Sequence, residues 1–143
     1  MSIEIHIDGL DELRQAIAQA KVEVRQAAER EVAVATARVL GAAVKRIERG
    51  PASGKVYQSS VSERDSHQAS APGEAPMSDS GDLAGSIAAS FDGLEGVVFT
   101  PLDYGRYLEF GTSDGKLKPR PWLLPSLEED APLFRRGLQR ILR

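Results

Sequence analysis

Isoleucines at positions 3, 5 and 7 alternate with Glu4, His6 and Asp8. A period of two predicts a short strand with one buried face and His6 turned to water. Gly9 closes the strand, and from Leu10 the spacing changes to alternating steps of three and four: Leu10, Leu13, Ile17, Ala20, Val24 and Ala27, then Val32, Ala35, Val39, Ala43 and Ile47. This is the period of an amphipathic helix, predicted from about residue 11 to 49 with Gly50-Pro51 as its stop. One helix of that length would span about 55–60 Å, more than the width of a domain this size. It must therefore project, bend, break near Gly41 or pack against another subunit. Further on, Ile87, Ala89 and Phe91 alternate with Ser86, Ala88 and Ser90. Asp92-Gly93 then favours a tight type I′ turn, placing Phe91 opposite Leu94, Ala89 opposite Gly96 and Ile87 opposite Val98. Pro101 closes the second strand.

Between these elements, residues 50–80 are rich in Ser, Gly and Pro and carry no sustained apolar period. They predict a long flexible loop, and a loop of that length in a small domain is usually functional or disordered. Ser80 or Asp82 is placed to cap a short helix beginning near Leu83. After the hairpin, Tyr104, Tyr107, Leu108 and Phe110 fall on one face of a short helix that Gly111 would end. Pro119-Arg120-Pro121 forces an extended passage, because each proline fixes its own φ and restricts its predecessor. That stiffness should lay Trp122 and Leu123 back on the preceding helix in one buried cluster with Tyr107 and Phe110. Pro125 suits the first turn of a terminal helix. Leu127, Leu133, Phe134, Leu138, Ile141 and Leu142 form its broad apolar face, and Pro132 should kink or break it.

The pattern as a whole predicts an α+β fold: an N-terminal strand, a long α-helix, a β-hairpin and C-terminal helices around a small, mainly antiparallel sheet. The 143 residues are one domain's worth, and with aromatics at 6% the core must be built from Ala, Val, Leu and Ile. There is no cysteine, which excludes disulfides and thiolate metal sites. The N-terminal residues predict no signal sequence, and no apolar run reaches bilayer length. The net charge of −3 hides a segregation. Residues 74–115 hold eight acids against Arg106 alone, while residues 116–143 hold seven bases against three acids. Separation of this kind bears on partners more than on fold.

Two blocks of sequence resemble a known family. Tyr104-Gly-Arg-Tyr-Leu-Glu-Phe-Gly-Thr112, followed by a basic linker and Pro119-Arg-Pro-Trp-Leu-Leu-Pro-Ser-Leu127, is similar to the tail-completion or neck proteins of long-tailed bacteriophages and prophages. His67-Gln-Ala-Ser-Ala-Pro-Gly-Glu-Ala-Pro76, then Asp79-Ser-Gly-Asp-Leu83 and Ser86-Ile87, matches the same family in the same order. The resemblance implies a non-enzymatic virion component at the head–tail junction, made in the host cytoplasm and carried into the particle. It would act in a homo-oligomeric ring, with connector or head-completion proteins on one side and tail-tube proteins on the other. It implies no cofactor, no metal, no membrane and no specific nucleic acid, although the genome would pass through the ring lumen. The loop at 50–80 would face the assembly. A tail terminator or tail-assembly factor is the alternative within the same biology, and a small prophage-encoded DNA-binding or hydrolytic protein is a remoter one.

On this reading Tyr104, Tyr107, Leu108, Phe110, Gly111, Pro119, Pro121 and Trp122 are the structural anchor. Glu109 and Arg120, set inside the motifs beside large apolar residues, are interface candidates with Asp79, Asp82, Arg135, Arg136 and Arg140. An Arg held between two prolines suits a bidentate carboxylate partner. Asp65, His67 and Ser70 have the residue types of a nucleophile set, but a catalytic set is defined by positions in space and not by closeness along a loop. The four arginines at 135, 136, 140 and 143 could touch nucleic acid, yet the pI of 5.4 and the lack of interleaved aromatics argue against it.

Overall fold

The computed structural model describes residues 3–6, 11–18, 22–58, 66–78 and 80–143. Its elements run β1 (Ile3–His6), α1 (Asp11–Ala18), α2 (Val22–Arg49), β2 (Val56–Gln58), β3 (Ser66–Gln68), α3 (Asp82–Ser86), β4 (Ala88–Asp92), β5 (Glu95–Thr100), α4 (Asp103–Phe110) and α5 (Leu124–Ile141). The fold is α+β, as the pattern predicts.

Helix α2 is the spine. At 28 residues it is about 42 Å long. Its predicted stripe of Val32, Ala35, Val39, Ala43 and Ile47 is buried throughout, and the helix runs unbroken through Gly41. The N-terminal half of the stripe closes over Leu94 and Phe134, and the C-terminal half over Val98, Ile87, Trp122 and Leu123. The single helix expected over 11–49 is not what forms. Leu13 of α1 packs on the cluster around Ala28 and Val32, and Arg14 lies 3.6 Å from Glu95. On a continuous helix Leu13 would lie about 22 Å from Ala28, so α1 turns back along α2. Residues 19–21, and the side chains of Ile5, His6 and Ile17, lie outside the described residues.

Three strands form an antiparallel sheet in the order β1-β5-β4. The hairpin expected from Ile87 onward is present, with its register moved by two residues. Asp92 pairs with Glu95, Phe91 with Gly96 and Ala89 with Val98. The turn residues are Gly93, at φ +58, and Leu94. A positive φ at the first central position alone is the type II′ arrangement and not the expected type I′. The shift is even, so Ala89 and Phe91 keep the face of Gly96 and Val98, but only the β5 side of that face is buried, and Ala89 and Phe91 are exposed. Ile87 has moved out of the strand to end α3, where it is buried.

The segment 50–80, expected as a loop without elements, contains a second small sheet. Tyr57 pairs with His67 between β2 and β3, with residues 59–65 outside the described set. Its base is closed by Gly54 N–H to Ala69 O at 2.8 Å and Ala69 N–H to Lys55 O at 3.0 Å. Three-residue strands, Val56-Tyr57-Gln58 and Ser66-His67-Gln68, fall below the length at which alternation can be detected.

Helix α5 lies antiparallel to α2. Arg46 donates to Ser126 at 3.3 Å and to Glu129 at 2.8 Å. Arg38 donates to both carboxylate oxygens of Asp130, at 2.5 and 3.2 Å. Gly137 lies so close to Glu31 that a Cβ there would approach its carboxylate to 2.3 Å. Hydrogen bonding to the buried Asp130 raises the Arg38 pKa above its ordinary value. Pro132 does not break the helix, which continues to Ile141. The buried positions of α5 are Ser126, Asp130, Phe134 and Gly137, leaving Leu133 and Leu142 exposed. Its inner face combines Phe134, the partly buried Leu127 and Leu138, and small or paired polar residues that a hydrophobic period does not register.

Candidate interaction surface

The two motif blocks meet around the start of α5. Trp122 and Leu123 are completely buried, as expected, but the helix before them faces the other way. Gly105, Leu108 and Glu109 of α4 point inward, while Tyr104 and Tyr107 are each 44% exposed and Phe110 is 60% exposed. The expected cluster of Tyr107 and Phe110 with Trp122 therefore does not form. Space decides this. A Cβ at position 105 would come within 2.7 Å of Thr100 Cγ2 and 3.6 Å of Trp122 Cζ2, so only glycine lets α4 approach, and its carbonyl accepts Trp122 Nε1–H at 3.2 Å.

Glu109, expected at an interface, is 3% exposed. Its Oε2 accepts the backbone N–H groups of Trp122 at 2.7 Å and Leu123 at 2.9 Å, and its Oε1 accepts that of Leu124 at 2.8 Å. The first N–H groups of a helix have no partner within it and carry the positive end of its dipole. One carboxylate here caps α5 from thirteen residues upstream. Arg120 is half-buried. Its Nε donates to Ser70 O at 3.2 Å and its backbone N–H to Leu108 O at 2.6 Å. Gly111, at φ +75, carries the chain out of α4 in a conformation costly for other residues. Its N–H bonds Tyr107 O at 2.8 Å. Pro119 O then receives Gly73 N–H at 2.9 Å, joining the second motif block to the first.

Glu74 serves the earlier block in the same way. Its carboxylate accepts Ala71 N–H at 2.8 Å, Ser53 N–H at 3.2 Å and the Ser53 hydroxyl. It thereby ties together the two chain ends at the base of the β2–β3 hairpin. The Ser53 hydroxyl and then the Ala71 amide hold its pKa below the ordinary glutamate value. A lowered folded-state pKa gives a contribution that is complete above the unfolded value and is lost as pH falls through the folded one. The Ala71 amide resonance should accordingly follow a carboxylate titration below the usual glutamate range, and Glu74→Gln should abolish that dependence. A titration at or above the ordinary value would contradict the clasp. Asp114 is held low in the same manner, first by the Thr112 hydroxyl and then by Lys116 N–H.

The remaining candidates separate clearly. Asp82 is exposed, with the Ser80 hydroxyl on its carboxylate at 2.6 Å, and the residue before α3 is Gly81, without a side-chain cap. Burial, and then the charge of Asp82, raises the pKa of Tyr104. Arg135, Arg136 and Arg140 are exposed on α5. Asp79 lies outside the described residues, as does Asp65. His67 sits in β3 opposite Tyr57, and Ser70 is buried beneath Arg120. Among the described residues no group of His, Asp or Glu is arranged to hold a metal, and no helix is long and apolar enough to cross a membrane.

A surface feature not read from the sequence is the number of aromatic rings outside. Of the eight aromatics in the chain, Tyr57, Phe91, Tyr104, Tyr107 and Phe110 are exposed. The motif carboxylates Glu74 and Glu109 thus serve the fold, while five of the eight aromatics face outward. Residues 11–111 match the family model described as "Bacteriophage HK97-gp10, putative tail-component", and the chain belongs to this family of phage tail components. The match takes in the first block and α4 and ends before Pro119-Arg120-Pro121-Trp122. No curated protein and no solved structure matches the chain.

Proposed function

We propose that this tail component is a non-enzymatic subunit of the head–tail junction, a neck or tail-completion protein acting in a ring of identical copies that joins connector to tail. The observation that carries this reading is the exposure of five aromatics in a chain that has only eight. Large rings left in water on a small domain mark surfaces that other proteins cover, and Tyr, Phe and Arg are the residues enriched in such surfaces. The subunit's neighbours would be further copies of itself, the head-completion side and the tail tube, with the genome passing the lumen unread. It would assemble in the host cytoplasm and remain in the particle.

The test is deletion of the gene in the phage or prophage, with mass spectrometry of purified particles. Loss should leave filled heads and free tails, and intact particles should contain the chain in a fixed ratio to connector subunits. Intact particles that lack the chain would contradict a structural role and favour an assembly factor.

A further inference from the structure

Two exposed stripes lie on opposite ends of the α2 spine. The first is on α4, where Tyr104, Tyr107 and Phe110 follow one another at steps of three, with Asp82 and Tyr104 lining one cavity. This end of the molecule is fixed by Ile47, which lines a cavity of about 110 Å³ together with Tyr104 and Leu108. The second is on the C-terminal half of α5, where Leu133, Arg136 and Arg140 are exposed at steps of three and four and so share one side of the helix. That end is fixed by Gly137 against Glu31. From Ile47 to Glu31 along α2 is about 24 Å, too far for the two stripes to meet within one subunit.

The stripes are complementary in length and chemistry. Tyr104 to Phe110 spans about 9 Å of helix and Leu133 to Arg140 about 10.5 Å. Guanidinium groups stack on aromatic faces, an attraction that grows as water is excluded. Asp82 at the edge of the aromatic stripe supplies the opposite charge. We infer that the aromatic stripe of α4 docks on the Leu133–Arg136–Arg140 stripe of the next copy, so that each subunit offers its α4 end to one neighbour and its α5 end to the other. An interface between unlike patches on opposite ends repeats around a ring or along a filament. The inference rests on the ring reading and names the surfaces that close it.

Two one-sided variants test it. Tyr107→Ser with Phe110→Ser removes the aromatic stripe, and Arg136→Glu with Arg140→Glu reverses the basic one. All four side chains are exposed, so both variants should melt within a few degrees of wild type. Wild type should sediment as an oligomer that loosens as salt rises, because exposed charges are screened over about 8 Å at physiological ionic strength. Each variant alone should be a monomer, and an equimolar mixture should give a dimer and nothing larger, since only one intact interface is available. As a second measurement independent of the variants, a photo-crosslinking residue at position 110 of an otherwise wild-type chain should couple to a peptide from α5 of another copy. Oligomers in either variant alone, a mixture that stays monomeric, or coupling to another element would overturn the interface while leaving the ring to close elsewhere. Wild type that is monomeric at every concentration would overturn self-association by this route, and the particle analysis decides the ring reading separately.

Discussion

Trp122→Ala should lower the unfolding free energy by about 3–5 kcal/mol, the range for truncating a buried aromatic. The indole is fully buried, touches the cluster formed by α2, β5 and α3, and donates its only N–H to Gly105 O. Truncation removes apolar contact on several elements and leaves that carbonyl without its donor. Denaturant melts of wild type and variant check this. A loss under about 1 kcal/mol would mean that α4 and α5 are not held through the indole.

Glu109→Ala should cost nearly as much, about 2–4 kcal/mol, although it removes no apolar surface. Three backbone N–H groups at the start of α5 would lose their acceptor where water has little access. Glu109→Gln keeps an amide oxygen for one oxygen's share of these bonds but gives up the charge facing the helix dipole, so a loss of about 1–2 kcal/mol is expected. Equal stability of wild type and Glu109→Ala would show that the capping bonds contribute nothing net and would return Glu109 to the list of surface charges.

These two residues also mark what the sequence could and could not disclose. The stripe of α2 was legible because Val32, Ala35, Val39, Ala43 and Ile47 are apolar at a helical period and buried by that fact alone. The hairpin was legible by alternation, but Ala89 and Phe91 of β4 are exposed, and its register depended on Gly93 taking the first turn position, a choice that local sequence left open. The face of α4 was misread for a physical reason. Periodicity assigns apolar residues to the inside, and here the inner positions belong to Gly105, which admits Trp122, and Glu109, which accepts three N–H groups. The aromatic side was left for the surface. Arg38 with Asp130 and Ser126 with Arg46 were invisible for the same reason, since paired polar residues on facing helices carry no period. The motifs drew attention to the right positions, but Glu109 is buried and serves the fold. Tyr107 and Phe110, expected in the core, are exposed.

The charge segregation is also partly consumed inside the subunit. Glu74, Glu109 and Asp114 hold backbone N–H groups, and Glu129 and Asp130 answer arginines of α2. Other charges stay outside: Asp82, Asp92, Asp103 and Arg106 are exposed in the acidic stretch, and Lys116, Lys118, Glu128, Arg135, Arg136, Arg140 and Arg143 in the basic one.

Image reconstruction of the purified particle at its head–tail junction tests the central claim most directly. The account predicts a closed ring between connector and tail tube into which this fold fits once per repeat, with the exposed rings of α4 covered. A junction whose density is fully explained by other chains, with this protein absent or confined to another part of the particle, would contradict it.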